Sequence, residues 1–215
     1  MRTHHSLLLA FMVLTAAACN KEEPQYYSAL GVLAIQADST IIETDDNERL
    51  LVLNRANPGA GYSNRDRVIA DFSLAGGVKP AGIDYLVNIE RLEKVLFKPV
   101  KEITAENSDS VGNDPMAVRN IWLAKDFLNL SFGFYGGNQT HYINLVRQPG
   151  ELPQDTVELE IRHNDRDDSG YYALRGFVSF DLSSLRSSQA DSVIIKVSAK
   201  EFDSRTYTGN FTYKY

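Results

Sequence analysis

The chain has 215 residues, with 22 Lys and Arg against 28 Asp and Glu and a single Cys. The acidic charge is spread along the chain, which argues against a nucleic-acid partner because phosphate binding requires a basic face. A single cysteine excludes a disulfide within the chain and a zinc site built on thiolates. Stability must therefore come from apolar cores, and the length suffices for one large core or two small ones.

Residues 1–18 are predicted to be a signal peptide. The apolar run Leu7–Ala18 has about 12 residues, too few for a bilayer that requires about 20. It leads into Cys19, which lies where bacterial lipoprotein signals place the cysteine that is lipidated and becomes the first mature residue. The alternative is an ordinary secretory signal with a chance cysteine. Removal of residues 1–18 takes away Arg2 and no acid, so 21 basic and 28 acidic residues leave a net charge of −7.

Residues 19–26 are predicted to be a lipidated tether. Within it, Lys21, Glu22 and Glu23 resemble the short signal that sends Bacteroidetes lipoproteins to the outer leaflet of the outer membrane. The alternative is a solvated tether of the same composition. We expect a lipid on Cys19 to hold the protein on the outer membrane, facing the cell exterior, without docking on anionic lipid.

Strand signals follow the tether at once, and residues 27–100 are predicted to form a small β-barrel domain. Residues 101–116 are polar and contain Asn, Asp, Ser, Gly and Pro, so we interpret them as an interdomain linker. The candidate strands of the first domain are Ala29–Gln36, Thr40–Glu43, Glu48–Asn54, Arg67–Ala75 and Ile83–Val100.

Residues 117–215 show a denser strand pattern and are predicted to form a two-sheet β-sandwich. Thr156–His163 alternates strictly between apolar and charged residues, as a strand with one buried face does. The only helical candidate, Ser183–Gln189, is long enough for a single turn. The other strand signals are Ile121–Ala124, Asp126–Tyr135, Thr140–Gln148, Tyr171–Leu182, Ser192–Phe202 and the aromatic ladder that ends at Tyr215.

Several of these stretches resemble the NigD-like lipoproteins of Bacteroidetes, named after a gene in a bacteriocin operon. The resemblance implies an N-terminal OB-like barrel and a C-terminal immunoglobulin-like β-sandwich, so the predicted fold class is all-β. It implies no catalytic residues, and the operon suggests a role near bacteriocin production or immunity. The stretches are Arg67–Leu74, Asp84–Val100, Ile121–Val146, Glu158–Asn164, Arg175–Leu185 and Phe211–Tyr215.

His141 and His163 are the only histidines after the signal peptide, and each lies at a predicted strand end. If the two strands were neighbours, the pair and an Asp could form a metal or acid–base site. The alternative is a hydrogen-bonded pair at the rim of the sandwich.

Two further motifs are candidate sites. Asp165, Asp167 and Asp168 offer the oxygen ligands that Ca²⁺ prefers, but the glycine and distal Glu of an EF-hand are missing. A loose ion site or a solvated hairpin tip fits them, and we assign no metal. Asp109-Ser110-Val111 resembles the sequence at which Bacteroidetes glycosylate exported proteins, which makes Ser110, in the predicted linker, a candidate for O-glycosylation.

No motif pairs a nucleophile with a base, and no phosphate-binding loop follows a strand. We therefore interpret the chain as a non-catalytic binding module without a cofactor. Tyr135, Tyr171 and Tyr207, near strand ends, are candidate contacts for a protein or glycan partner, while the barrel is interpreted as a packing or spacer domain. Two alternatives remain: a bacteriocin-associated immunity or production accessory protein, and an envelope hydrolase that uses His141 or His163.

Overall fold

The computed structural model describes residues 25–55, 58–150, 155–168 and 170–215. The signal peptide, Cys19 and the export signal at Lys21, Glu22 and Glu23 lie outside the described residues. Within the described part, no helix is long and apolar enough to span a membrane. The prediction of an all-β chain, with a barrel followed by a β-sandwich, is confirmed.

Five strands form a closed barrel in the N-terminal half of the chain. They are β1 (Tyr26–Gln36), β2 (Ser39–Thr44), β3 (Arg49–Val52), β4 (Arg67–Leu74) and β5 (Tyr85–Lys94). Their order around the barrel is β1-β2-β3-β5-β4, with one parallel pairing between β3 and β5. Alternate side chains fill the interior, among them Leu33, Ile42, Leu50, Val68 and Val87.

The long strand β1 closes the barrel because it pairs with two neighbours. Its first part, from Tyr26 to Val32, lies against β4, and its second part lies against β2. Gly31 lies where the two ladders overlap, and a Cβ at this position would lie 2.7 Å from the Glu43 carbonyl oxygen. A larger residue would push the strands apart, so closure depends on this glycine.

Two sheets form the sandwich in the C-terminal half. One has the order β14-β13-β11-β10-β7 and the other β6-β12-β9-β8, with parallel pairings in both sheets. A single helical turn, α1 (Ser108–Val111), lies between β7 and β8. The strands are β6 (Leu96–Pro99), β7 (Lys101–Glu102), β8 (Ala117–Ala124), β9 (Phe127–Gly136), β10 (Tyr142–Arg147), β11 (Thr156–Asn164), β12 (Tyr172–Asp181), β13 (Ser192–Lys200) and β14 (Thr206–Lys214).

The alternation in the sequence sets which face of each sandwich strand is buried. On β11, Val157, Leu159 and Ile161 are buried, whereas Glu158 is exposed. These side chains meet Leu128, Val178 and other apolar residues of the facing sheet in one core. Ser183–Leu185, within the single helical candidate, forms a short 3₁₀ turn.

The segment predicted as a linker, residues 101–116, differs from that expectation because much of it packs on the sandwich. Only Val95 separates β5 of the barrel from β6 of the sandwich, and its N–H donates to the Arg67 carbonyl at 2.8 Å. Farther along, Ile103 and Val111 are buried together with a residue of β10. The polar composition belongs to the exposed face of this segment, while its few apolar residues fix it in place.

A buried polar network joins the barrel to the sandwich. Arg67 on β4 forms a bidentate ion pair with Asp45, at 2.7 and 2.9 Å. Its guanidinium also donates to Asn129 on β9 at 3.0 Å and to Ser179 on β12 at 3.3 Å, and it lies 4.1 Å from the ring centroid of Phe127. The Arg67 side chain is 0% exposed, so its charge is compensated entirely by these neighbours. We call these five residues the junction network.

Candidate functional site

Three connections meet at one end of the sandwich, which we call the distal end. They are residues 137–141 between β9 and β10, residues 165–168 and 170–171 between β11 and β12, and residues 201–205 between β13 and β14. The junction network involves the opposite ends of β9 and β12, since the two strands are antiparallel and pair Asn129 with Ser179. The distal end therefore faces away from the barrel along these strands.

Asp168 connects two of these segments. Its Oδ2 accepts hydrogen bonds from the N–H of Gly137 at 2.6 Å and of Gln139 at 3.3 Å, and it lies 3.2 Å from His141 Nε2. The hydrogen bond from Gly137, helped by those from His141 and Gln139, lowers the pKa of the Asp168 carboxyl to about 2. The carboxylate is ionised at neutral pH and holds the loop through charge-assisted hydrogen bonds.

The structure brings the two predicted histidines together. His141 Nδ1 lies 2.9 Å from His163 Nε2, and the ring of His141 packs on Phe134 with a centroid distance of 4.7 Å. Because Asp168 is ionised, we assign a hydrogen to His141 Nε2, which donates it to the carboxylate. One hydrogen then lies between His141 Nδ1 and His163 Nε2. This is the hydrogen-bonded arrangement at the sandwich rim that the sequence offered as one alternative.

His163 Nδ1 is the ring nitrogen of the histidine pair that these contacts do not use. His163 is 2% exposed, and its buried Nδ1 makes no hydrogen bond. Burial first, and then the nearby His141, lower the pKa of His163, although the Pro115 carbonyl and the carboxylates of Asp114 and Asp165 oppose that shift. At neutral pH the ring is neutral and acts as part of the rim packing.

The predicted oxygen-ligand loop is a turn held by its own carboxylates. Asp165 Oδ1 accepts from the N–H of Asp167 at 2.9 Å, and the Asp165 N–H donates to Asp114 Oδ2 at 2.9 Å. Arg166 and Asp167 both have φ of 58°, and Asp168 bonds to the 137–139 segment instead. Among the described residues, no group of three or more His, Cys, Asp or Glu side chains is placed to hold a metal ion.

A polar cleft of about 500 Å³ lies between the α1 segment and the turn after β11. Gly112, which has φ of 70°, closes one side, and a Cβ there would lie 2.5 Å from the Cβ of Asn164. Ser110 lies on α1 with an exposed side chain, and its carbonyl accepts from the Asn164 side chain at 3.0 Å. The glycosylation candidate is therefore accessible but belongs to an ordered turn rather than to a free linker. The cleft is lined by Ser108, Asp109, Gly112, Asn113, Asp114, Arg162, Asn164, Asp165, Arg166 and Asp167.

Exposed tyrosines gather at the distal end. Tyr135 is 56% exposed, Tyr171 80% and Tyr172 66%. Tyr172 pairs with Gly136, so its side chain and that of Tyr135 lie at the same end of the sandwich but on opposite faces of their sheet. Gly170 has φ of 64°, and a Cβ there would lie 3.2 Å from the Cβ of Tyr135. The glycine therefore lets the chain pass close to the backbone and Cβ of Tyr135. We call Tyr135, Tyr171 and Tyr172 the tyrosine surface.

Two of the three predicted contact tyrosines lie on this surface, and the third does not. Tyr207 is half-buried and packs against the sandwich core, and burial, with the charge of Glu201, raises the pKa of its hydroxyl. Tyr172 was missed because the alternation along its strand assigns it to the buried face. The adjacent pair Tyr171-Tyr172 directly before a strand was the available signal, since only one of two successive side chains can face the core.

The junction network was also missed by the sequence analysis. Arg67 begins a predicted strand, and a charged residue in an alternating run is normally solvated. Its partners Asn129 and Ser179 lie at outward positions of β9 and β12, and only the contact with the barrel buries them. No local sequence pattern predicts a contact between two domains.

A family profile described as the NigD-like C-terminal β-sandwich domain matches residues 99–213. The start of the match agrees with the structure, in which the sandwich begins at β6 rather than after residue 116. None of the curated proteins matches this chain.

Solved structures share the whole two-domain fold at low identity. A putative toxin-related protein from Parabacteroides distasonis is 24% identical with a TM-score of 0.75, over 88% of this chain and 94% of that one. A NigD-like immunity protein from Bacteroides caccae is 18% identical with a TM-score of 0.65, over 89% and 97%. A putative lipoprotein from Bacteroides fragilis is 12% identical with a TM-score of 0.63, over 89% and 98%. At these identities the similarity establishes the fold.

Proposed function

The chain belongs to the NigD-like family, and from this premise we propose that it is a cell-envelope lipoprotein that binds a partner outside the cell without catalysis. The signal peptide and Cys19 would anchor it to the outer membrane, with Lys21, Glu22 and Glu23 directing it to the outer leaflet. The single observation that carries the proposal is the tyrosine surface at the distal end. A protein or a glycan is the expected partner.

The exposure of the tyrosine surface supports a binding role. Tyr171 and Tyr172 leave most of their ring area in water, although burial of such rings is a main source of folding free energy. Tyrosine is enriched at binding surfaces because it offers a broad apolar ring with a polar tip and few rotatable bonds. Clusters of such rings on a soluble domain mark interaction sites more often than single exposed residues do.

The burial of the histidine pair supports a role without catalysis. The side chain of His141 is 7% exposed and His163 is 2% exposed, so neither imidazole is open to a substrate. A general base must reach the proton that it abstracts within hydrogen-bond distance. We expect a screen of envelope hydrolase substrates to give no turnover that His141→Ala abolishes.

The binding role is tested by photo-crosslinking in cells that carry the full-length protein. A photoreactive amino acid replaces Tyr171 in one strain and Val78, which is 95% exposed on the barrel, in the control strain. We expect a discrete adduct from position 171 and none from position 78. Equal adducts at both positions, or none at position 171, would contradict the proposal.

The anchoring role is tested separately. Metabolic labelling with a palmitate analogue is expected to mark the wild-type protein in the outer-membrane fraction. Cys19→Ser should abolish the label and release the protein from that fraction. A labelled Cys19→Ser protein, or an unlabelled wild-type protein, would overturn the assignment of Cys19.

Bacteriocin immunity is a second candidate function, favoured by the descriptions of two structural neighbours as a NigD-like immunity protein and a putative toxin-related protein. In this case the tyrosine surface would capture a toxin outside the cell. Deletion of the gene should then increase toxin sensitivity, and a copy with Tyr171→Ala and Tyr172→Ala should fail to restore resistance. Unchanged sensitivity after deletion would dispose of this candidate.

We also propose that Ser110 carries an O-linked glycan, because its hydroxyl lies on an exposed turn. Intact-mass measurement of the native protein is expected to show a glycan that Ser110→Ala removes. If the Ser110→Ala protein still carried the glycan mass, the assignment of Ser110 would be wrong.

A further inference from the structure

The last strand, β14, is a free edge of the five-stranded sheet. It pairs with β13 over nine consecutive residues, from Thr206 opposite Lys200 to Lys214 opposite Ser192, without a bulge. Among the described residues, no strand pairs with its other side. An unpaired strand edge is a template for another strand.

Hydrogen bonds at both ends of the ladder identify the backbone groups that face away from β13. The Tyr215 N–H donates to the Asp191 carbonyl at 3.0 Å, and the Glu201 N–H donates to the Arg205 carbonyl at 2.8 Å. Odd-numbered residues therefore bond to β13, and the alternation of an antiparallel ladder turns the even-numbered residues outward. The outward residues are Thr206, Thr208, Asn210, Thr212 and Lys214, and all have exposed side chains.

The other edges are protected, which singles out β14. In the described structure, β6 has four residues and β7 has two, while β8 carries a register shift around Arg119 and the barrel is closed. Short strands, bulges and closure are the usual ways to prevent edge pairing. Strand β14 has none of these features and no proline.

The two strands beside this edge carry lysines on their outward face, although the net charge of the chain is −6. At the outward positions of β13 and β14 lie Lys196, Lys200 and Lys214, and none of these ten positions carries an acid. The nearest acid to Lys196 is Glu158 at 3.8 Å, and both side chains are more than half exposed. Such a pair contributes little. Glu158 and Glu160 of β11 share this face with Lys196, and Lys200 Nζ donates to the Asn113 carbonyl at 3.0 Å, so the excess of positive charge is confined to β13 and β14, the two strands beside the edge.

We propose that β14 receives an extended, acidic segment of a partner protein as an added strand. Only a peptide backbone supplies N–H and C=O groups at the spacing of the edge, which selects protein over glycan. Charge complementarity selects acidic side chains, because Lys214 lies on the edge strand and Lys196 and Lys200 lie on its neighbour β13. The surface continues to the distal end, because Phe202, just before β14, contacts the Tyr135 ring with a centroid distance of 5.4 Å.

This inference goes beyond the proposed function, since it requires no tyrosine, and peptides test it directly. The probe is a fluorescent, capped nonapeptide that alternates Val and Glu, compared with a Val-Lys peptide and with a Val-Glu peptide that has a central proline. Fluorescence anisotropy with the wild-type protein should give a dissociation constant at least tenfold lower for the first peptide than for the other two. Equal affinities, or no saturable binding, would overturn the proposal.

A matched pair of variants tests the location. Asn210→Pro removes an outward N–H but no bond to β13, so the fold should persist, and circular dichroism checks this. Binding should weaken at least tenfold in Asn210→Pro and less than twofold in Asn210→Ala and in Tyr171→Ala. Wild-type affinity in Asn210→Pro would contradict the assignment. A wild-type protein that is dimeric without peptide and monomeric as Asn210→Pro would also contradict it, because the edge would then pair with a second copy.

Discussion

The two ends of the sandwich carry polar networks of similar chemistry in opposite surroundings. At the junction network, a charged guanidinium is enclosed between the barrel and the sandwich. It pairs with Asp45 within the barrel, and its hydrogen bonds to Asn129 and Ser179 hold the two domains together. At the distal end, Asp168 and His141 are buried in the same way, but they hold loops whose tyrosines remain in water. Buried hydrogen bonds of the same kind therefore join two domains at one end of the sandwich. At the other end they position loops whose exposed tyrosines contribute little to the stability of the fold.

The largest effect is expected from breaking the junction network. Arg67→Met leaves Asp45 with an unpaired charge beside Asn129, and loss of one partner of a buried pair costs about 3–5 kcal/mol. Urea unfolding should show this decrease in the free energy of unfolding. The control is Arg91→Met, because Arg91 is 59% exposed where it pairs with Asp71 and should contribute less than about 1 kcal/mol. Similar losses in both variants would contradict the structural role of Arg67.

The next effect is expected where α1 packs on β11 at the distal end. Gly112→Ala adds a Cβ at 2.5 Å from Asn164 and 2.6 Å from the His163 carbonyl, at a φ of 70°. We expect a loss of about 2 kcal/mol from overpacking and backbone strain. Gly76→Ala is the control, since nothing lies within 4 Å of its Cβ. An unchanged unfolding midpoint in Gly112→Ala would show that this contact is loose.

The third effect is a dependence of stability on pH that arises at the distal end. Because the pKa of His163 is lowered in the folded state, the unfolded chain binds the proton more readily. Stability is complete above the unfolded pKa, near 6.5, and falls as the pH decreases toward the lower folded pKa, by at most about 1.4 kcal/mol per pH unit. Urea unfolding from pH 7.5 to 5 measures this slope. His163→Gln should flatten it, and an equally steep slope in that variant would exclude His163 as its source.

The smallest effect on stability is expected from removing an exposed tyrosine ring at the distal end. Tyr171→Ala removes a side chain that is 80% exposed, so we expect a change in the free energy of unfolding below about 0.5 kcal/mol. Thermal unfolding measures it, and Tyr213→Ala, a fully buried ring, should lose about 3–5 kcal/mol. A loss in Tyr171→Ala comparable with that of Tyr213→Ala would mean that the tyrosine surface supports the fold and is not reserved for a partner.

The sequence predicted the strands well because alternation is a local property. Val157, Leu159 and Ile161 are buried, as their spacing indicates. The requirement for glycine at position 31 is not local, because it depends on the approach of β2. The division between domains could not be derived locally, because β5 and β6 form one strand-like stretch interrupted only at Val95. The two halves of that stretch belong to different sheets, and no turn residue separates them.

The candidate site was predictable only in part, because its geometry depends on contacts between distant segments. The sequence places His141 and His163 each at a predicted strand end, but the direction of the Asp168 side chain depends on the N–H of Gly137, which lies 31 positions away. Tyr171 was identified by its place before a strand. The free edge of β14 depends on strand order, which the alternation of a single strand does not encode.

The one-residue connection at Val95 between the barrel and the sandwich would have a mechanical consequence if the protein is anchored to a membrane. One residue, bonded to the Arg67 carbonyl, leaves no hinge between the two bodies, so the barrel and the sandwich would tilt together as a rigid lever. The direction in which the tyrosines point is then set during folding, and a partner that arrives does not have to immobilise a swinging domain. The entropic cost of association is reduced accordingly.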